Sequence, residues 1–363
     1  MYEAIGPVVK LNPLFRLRFT QPLTCELPLR KRCLELPSPR YAALLARVRG
    51  AMSLGEVREV ARETFGVPAD VAEGIVRDLL EQELLVPGDA PLENEEAIRH
   101  WVDRGWLDAL LLHLSTRDPA FTRAEALDPD GFQDRILGEL IAREGAPALW
   151  KEYPGRPAVD LPEPAASPLS EALQDVLLRR RSNEAWKAGR VSLQDLGAVL
   201  AYGNLETVRL RREAEAGLQE RPRLLLNSAF SALETYVLAF AVDGLSPGLY
   251  HYDPRHHRAT LLREGLLRDE ATRMAIGQAR AGSGAFTLVI TAVWERYMFR
   301  YRHARAYRTL LMNVSELAQK YLLLATGFNL STFLTPNFQN LQADRLLGVN
   351  GYEEGTLYVV AAG

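Results

Sequence analysis

Apolar residues recur along this chain with two different periods. Over the first segment, roughly 1–88, VVKLNPLFRLRF and TCELPLRKRCLEL alternate in the manner of strands. The period then lengthens, and YAALLARVRG (ended by Gly50), SLGEVREVARETFGV and ADVAEGIVRDLLEQELL read as three helices. Ser53 is placed to cap the second, with Glu56 three residues on as capping-box partner and Gly66 as the stop. The third carries apolar positions at Val71, Ile75, Leu79, Leu80 and Leu84. Strands leading into three short helices, closed by Val86-Pro87-Gly88, read as a winged-helix-like domain. A helical segment follows at about 91–150, in which Trp101, Trp106 and His113 fall on one side and read as a core stripe with a buried histidine.

Residues 151–168, KEYPGRPAVDLPEPAASP, hold five prolines, which remove donors and fix φ, so an extended linker is expected there. The largest domain is expected over 169–363. SPLSEALQDVLLRRRS opens it as a helix capped by Ser167 or Ser170. VSLQDLGAVLAYG makes another, with Ser192 as cap, Asp195 at its third position and Gly203 as stop. LETYVLAFAVDGL, TLVITAVW and TLYVVAAG are strand-like, and GLYHYDPRHHRATLL reads as a hairpin. Tyr307, Leu310, Leu311, Val314, Leu317, Tyr321 and Leu324 recur every three to four residues, so a long core-facing helix is expected over about 303–326. Strands and helices without a repeated βα unit indicate an α+β sandwich.

Charge narrows the partners. The 363 residues carry a formal net charge of −3, so no global basic field favours nucleic acid. The third N-terminal helix holds Asp70, Glu73, Asp78, Glu81 and Glu83 against Arg77, an acidic face that repels phosphate. That leaves a peptide partner or scaffolding for the first domain. Cys25 and Cys33 are the only cysteines and make neither a disulfide framework nor a zinc site. The N-terminus has no basic-then-apolar pattern of a signal peptide, and no stretch approaches a membrane span. A cytoplasmic globular protein is expected.

Candidate chemistry is concentrated late in the chain. GxGxxG opening a helix, GxxxxGK[ST], GxSxG and HExxH are all absent. His251, His256 and His257 cluster in HYDPRHH and read as a polar hairpin tip rather than a metal site. MFRYRHARAYR, 298–308, packs four arginines, a histidine and two tyrosines into eleven residues. It is either an anion-binding, proton-moving part of a site or the solvated start of a helix. Arg179, Arg180 and Arg181 suit either a phosphate or a helix C-terminus.

Read in order, LLRRRSNEAW (177–186), VSLQDL (191–196), LETYV (233–237), GLYHYDP (248–254), RYRHARAYR (300–308) and LLLATG (322–327) resemble the SagB-type dehydrogenases, flavin-dependent members of the nitroreductase-like superfamily. That family includes oxidases that convert azolines to azoles in ribosomal peptides. The resemblance covers about 169–363 and implies a nitroreductase-like α+β fold, FMN as cofactor, and a modified precursor peptide as substrate. It also implies a dimer, with a second copy or with a related dehydrogenase subunit. The family's phosphate-holding Arg-x-Ser falls on Arg180 and Ser182, with Arg181 between them. Its Lys-Tyr pair falls on Arg300 and Tyr301, with Arg305 and Arg308 available to an anionic group. Arginine stays protonated at any working pH, so Arg300 cannot accept a proton as lysine can. The family's Pro-Ser-x-Gly beside the flavin is here Leu225-Leu226-Asn227-Ser228, which offers Asn227 and Ser228, and its Gly-Leu-Gly is Asn329-Leu330-Ser331. Glycine serves where a backbone approaches a ligand closely, so an altered flavin pocket is expected. Two functions follow: an FMN-dependent azoline dehydrogenase, or a degenerate partner subunit that pairs with an active one.

Overall fold

A computed structural model describes residues 8–12, 14–30, 32–88, 95–116, 129–164, 172–182, 185–187, 189–217 and 232–363. Two compact units, Met1–Ala120 and Phe121–Gly363, divide the chain. The helices expected together over 91–150 fall on both sides of that division. No described helix is long and apolar enough to cross a membrane.

In the first unit, β1 (Val8–Leu11) pairs antiparallel with β5 (Met52–Ser53) and β6 (Leu85–Pro87), while β2 (Arg16–Arg18), β3 (Thr24–Leu27) and β4 (Arg32–Glu35) form a second antiparallel sheet. The expected caps are present. Ser53 Oγ accepts from the Glu56 N–H, the Glu56 carboxylate accepts from the Ser53 N–H at 2.7 Å, and Gly66 closes the helix Leu54–Phe65 in the left-handed region at φ 65°. The helix before it ends at Arg47, short of Gly50, because Val48 turns extended and enters the core. In the helix Ala69–Glu81 the buried stripe is Ala72, Ile75, Val76, Leu79 and Leu80, whereas Val71 faces outward. Cys25 pairs with Leu34 and Cys33 with Glu26, so the two thiols lie on opposite faces of one ladder. Trp101, Trp106 and His113 do cluster, with ring centroids 5.9 and 6.2 Å from Trp101. They are not a core stripe, however: Trp106 and His113 are exposed.

The second unit is built on a seven-stranded sheet in the order β14 (Thr332–Thr335), β15 (Glu354–Ala362), β13 (Phe286–Val293), β9 (Leu233–Ala239), β11 (Gly248–Asp253), β12 (Arg258–Glu264), β7 (Ala158–Asp160). Every neighbouring pair is antiparallel. β8 (Val191–Ser192) and β10 (Val242–Asp243) form a separate parallel pair. Part of the expected linker is therefore an element, since β7 closes one edge of the sheet by pairing with β12. Its prolines flank β7 and leave the three paired residues free to bond.

Both faces of the sheet are covered, and every residue of β9 is buried. Successive side chains point to opposite faces. Leu233, Val237 and Ala239 join Leu310, Val314, Leu317 and Tyr321 of the long helix Arg305–Gly327 in the largest apolar cluster. Tyr236 and Leu238 face Ala271, Met274, Ala343 and Leu347 on the other side. The seam of the long helix is narrower than its pattern implied, for Tyr307 and Leu311 point outward. Gly203 is not a left-handed stop. It is the last residue of the helix Leu193–Gly203, whose Ser192 cap accepts from the Asp195 N–H at 3.0 Å. A Cβ on Gly203 would meet the Tyr321 ring at 2.4 Å, so the residue's role is close packing against the long helix.

Candidate functional site

At the C-terminal end of the long helix, residues distant in sequence make one polar corner. The short helix Leu173–Arg179 delivers three arginines to it, and Ala172 rather than Ser167 or Ser170 stands at its N-cap; those serines lie outside the described residues. Arg179 donates to the Thr326 carbonyl at 3.2 Å and to Asn329 Oδ1 at 3.3 Å. Arg180, half-buried, donates to Ser182 Oγ at 3.2 Å, and Ser182 bridges to Thr332 at the start of β14. Arg181 is exposed and folds back on the Arg180 carbonyl. A half-buried guanidinium bonded to a hydroxyl is a donor pair that suits a phosphate, so these residues fit the phosphate end of a flavin mononucleotide. Asn329 takes φ 59°, a left-handed conformation that asparagine tolerates better than most residues. Ser331 is buried, its Oγ donating to the Ala185 carbonyl at 2.7 Å. Asn227 and Ser228 lie outside the described residues.

At the N-terminal end of the same helix sits an aromatic cavity of about 550 Å³, with Trp294, Tyr297, Met298, Tyr301, Tyr307 and Leu310 in its walls. Tyr297 and Tyr301 meet as a tilted pair with centroids 4.7 Å apart and ring planes 46° from parallel, and the Arg300 guanidinium lies 5.1 Å from the Tyr301 ring. The Nε and Nη1 of Arg300 are buried without a hydrogen-bond partner among the described residues. Burial, then the neighbouring Tyr301, pushes the Tyr297 phenol up to about 12 despite the opposing effects of Thr309 and Arg300. Arg305 is half-buried in the first turn of the long helix, and Arg308 is exposed. MFRYRHARAYR lines the cavity along most of its length, and from Arg305 onward it is the start of the long helix.

Between β9 and the short helix Trp294–Met298 lies a charged cluster that the sequence did not single out. Glu234 is buried and accepts from Arg211 Nη2 at 3.2 Å and from Arg296 Nη1; its second oxygen meets His251 Nε2 at 2.9 Å. Burial alone would raise the Glu234 pKa, but the two guanidinium groups overcome it and hold the carboxyl well below its usual range. Arg211, with burial as the larger effect, is brought down to about 10. His251 therefore belongs to the sheet interior and not to the hairpin tip, where His256 bonds Asp253 and His257 bonds Tyr252. Next to this cluster, Lys151 donates to Tyr236 Oη at 2.6 Å and to Glu354, which also accepts from Thr291 at 2.6 Å. Burial opposes the Lys151 charge, yet Glu354 outweighs it and the ammonium pKa is raised. A second cavity of about 740 Å³ opens here, with Trp150, Lys151, Arg296 and Glu354 in its walls. A signal for the cluster was present: a glutamate inside the apolar run LETYVLA must find a cation if the strand is buried.

No family model matches the chain. It is 33% identical over 330 residues to the trifolitoxin operon protein TfxC of Rhizobium leguminosarum bv. trifolii, a match spanning 89% of this chain and 90% of that one. The trifolitoxin-processing protein TfxB of the same organism is 26% identical over 208 residues, covering 55% of this chain and 56% of TfxB. MJ1384 of Methanocaldococcus jannaschii, which carries the name of a nitroreductase, is 28% identical over 182 residues, covering 50% of this chain and 86% of that protein. With 33% identity sustained along 90% of a relative, the chain belongs to the SagB-type, nitroreductase-like dehydrogenases.

Proposed function

We propose that this chain is an FMN-dependent dehydrogenase that oxidises azoline rings of a ribosomally made peptide to azoles. The observation that carries this reading is Tyr301 on the wall of an aromatic cavity, beside an arginine with unpartnered buried donors. Similarity to two proteins named for trifolitoxin supports a peptide as the substrate. An azoline becomes an azole by giving up a hydride and a proton, and a bound flavin would supply the two-electron acceptor. The flat, neutral ring of an azoline suits stacking against Tyr297, Tyr301 and Trp294. Tyr301 first passes its phenol proton to water and then, as the phenolate, takes the proton that the azoline ring loses. Arg300 keeps its charge throughout and favours the transient phenolate.

The phosphate corner and the aromatic cavity belong to different active sites within one chain. The corner touches Thr326 and the cavity touches Leu310, positions roughly 24 Å apart along a helix rising 1.5 Å per residue. That is longer than one flavin mononucleotide. Each site is therefore completed by a second chain, whose cavity meets this chain's corner. Outward-facing Leu173, Leu177 and Leu178 beside the corner, and Tyr307, Leu311 and Met312 on the long helix, support such a pairing. The same separation favours the second reading, in which the partner is a related and more active subunit.

For the first unit we propose a winged-helix-like, peptide-holding role. β4 pairs only with β3 among the described strands, which leaves its other edge to accept an added strand. A groove of about 260 Å³ lies beside it, walled by Leu34, Leu36, Tyr41, Asp78, Leu79 and Gln82.

The test is to purify the full chain, record its visible spectrum, and supply a thiazoline-containing peptide. A yellow protein that removes two hydrogen atoms per ring, read by mass spectrometry, is expected. Tyr301→Phe is expected to lower turnover roughly 10²-fold with its unfolding midpoint unchanged. Undiminished turnover in that variant would remove Tyr301 from the chemistry. A colourless, folded protein that turns yellow only with a related subunit would establish the second reading.

A further inference from the structure

The helix Trp294–Met298 is five residues long. So short a helix is not self-supporting, because the first turn fixes several residues for each hydrogen bond gained. Side chains must hold it. Trp294 secures one end, its Nε1 donating to the Gly351 carbonyl at 3.0 Å. Arg296 and Tyr297 then enter two different environments. Arg296 runs into the buried cluster, where Nη1 donates to Glu234 and Nε donates to the Ala148 carbonyl at 2.6 Å. Tyr297 packs its ring against that of Tyr301 in a tilted contact, and the Tyr301 N–H donates to the Tyr297 carbonyl at 3.1 Å.

We propose that Glu234, acting through Arg296, is a positioning residue for the Tyr297–Tyr301 wall of the aromatic cavity. The proposal rests on reading Tyr301 as the group that handles the proton. Stability does not require the ions: apolar side chains of equal volume are often as stable as a buried ion pair, or more so. What the ions add is direction. A guanidinium fork held at both a carboxylate and a carbonyl fixes the short helix within hydrogen-bond tolerance, and a displacement of about 1 Å in a catalytic group can cost about 10²-fold in rate.

The cluster contains its own control. Arg211 and Arg296 both pair with Glu234, but only Arg296 belongs to the short helix. Arg211→Met and Arg296→Met each remove one cation from the same carboxylate. In the full chain, with 3-fluorotyrosine incorporated at position 301, ¹⁹F NMR is expected to show a moved or doubled resonance in Arg296→Met and an unmoved one in Arg211→Met. On a thiazoline peptide, kcat is expected to fall by roughly ten-fold or more in Arg296→Met with little change in KM, and to stay near wild type in Arg211→Met. An unmoved resonance in Arg296→Met, or equal movement in both variants, overturns the proposal. Should a methionine variant not fold, Arg296→Lys and Arg211→Lys carry the same comparison, because lysine keeps the charge and loses the fork. The resonance is read without turnover, so a wild-type protein that oxidises no azoline would refute the activity and leave the positioning test standing.

Discussion

On one face of the seven-stranded sheet, Leu233, Val237 and Ala239 of β9 meet Leu310, Val314 and Leu317 of the long helix. On the other face of the same strand, Glu234 holds two arginines and a histidine, and Tyr236 holds Lys151 and Glu354. The first face is apolar around these residues, and its Tyr321 hydroxyl bonds Asn204 at 2.7 Å and Thr235 at 2.8 Å. Both faces are buried, yet they do different things. Apolar packing is non-directional and sets how stable the sheet is. Ion pairs with fixed geometry cost desolvation and return mainly the placement of what they hold.

The contrast is sharpest if one side of a charge cluster is removed. Glu234→Ala leaves two guanidinium groups buried without their carboxylate and is expected to cost roughly 3–5 kcal/mol, read by urea unfolding. If the cost is under about 1 kcal/mol, the cluster is better hydrated than its burial implies. On the apolar face, Leu317→Ala is expected to cost about 2–4 kcal/mol by the same measurement, with turnover per folded molecule unchanged. Reduced turnover at wild-type stability would show that the apolar face also places the site. Tyr321→Phe, which removes the hydroxyl shared by Asn204 and Thr235, is expected to cost about 1–2 kcal/mol in thermal unfolding.

The smallest effect at any one condition is that of pH. The Glu234 pKa is lowered in the folded chain, so the carboxylate contributes stability above its ordinary range and that contribution drains away as pH falls through the folded value. Stability should therefore decline progressively below about pH 4, and the decline should be shallower in Arg211→Met, whose carboxyl lies nearer its ordinary value. Equal slopes from pH 5 to pH 2 in the two proteins would assign the acid response to other carboxylates.

Much of the architecture was legible because period and caps are local properties. The Ser53–Glu56 box, the Ser192 cap, the hairpin at GLYHYDPRHHR and the long helix each follow from residues within a few positions of one another. Failures came where a distant partner decided the matter. Gly203 does end its helix, but what requires a glycine there is Tyr321, more than a hundred residues away and packed against it. Tyr307 and Leu311 fit the helical repeat, but nothing in that repeat says how wide the seam is. The site divides the same way. Arg180 with Ser182 and Arg300 with Tyr301 are sequence neighbours whose contacts a short motif can suggest, whereas Glu234, Arg211, Arg296 and Lys151 converge only through the sheet. Asn329 stands where the resemblance expects a glycine, and only the folded chain shows it in the left-handed region that glycine favours.

Strand β7 and Lys151 bear on how such a chain can be cut, fused or exchanged with relatives. Composition draws the boundary after residue 168, yet 151–160 supply an edge of the sheet and the cation that satisfies Glu354 and Tyr236. A gene fragment starting at 169 would encode a sheet with a bare β12 edge, open to pairing with other copies, and a buried carboxylate stripped of its counterion. Domain swaps between related dehydrogenases that keep 129–363 together would move a complete folding unit, whereas swaps made at the proline-rich stretch would move a damaged one.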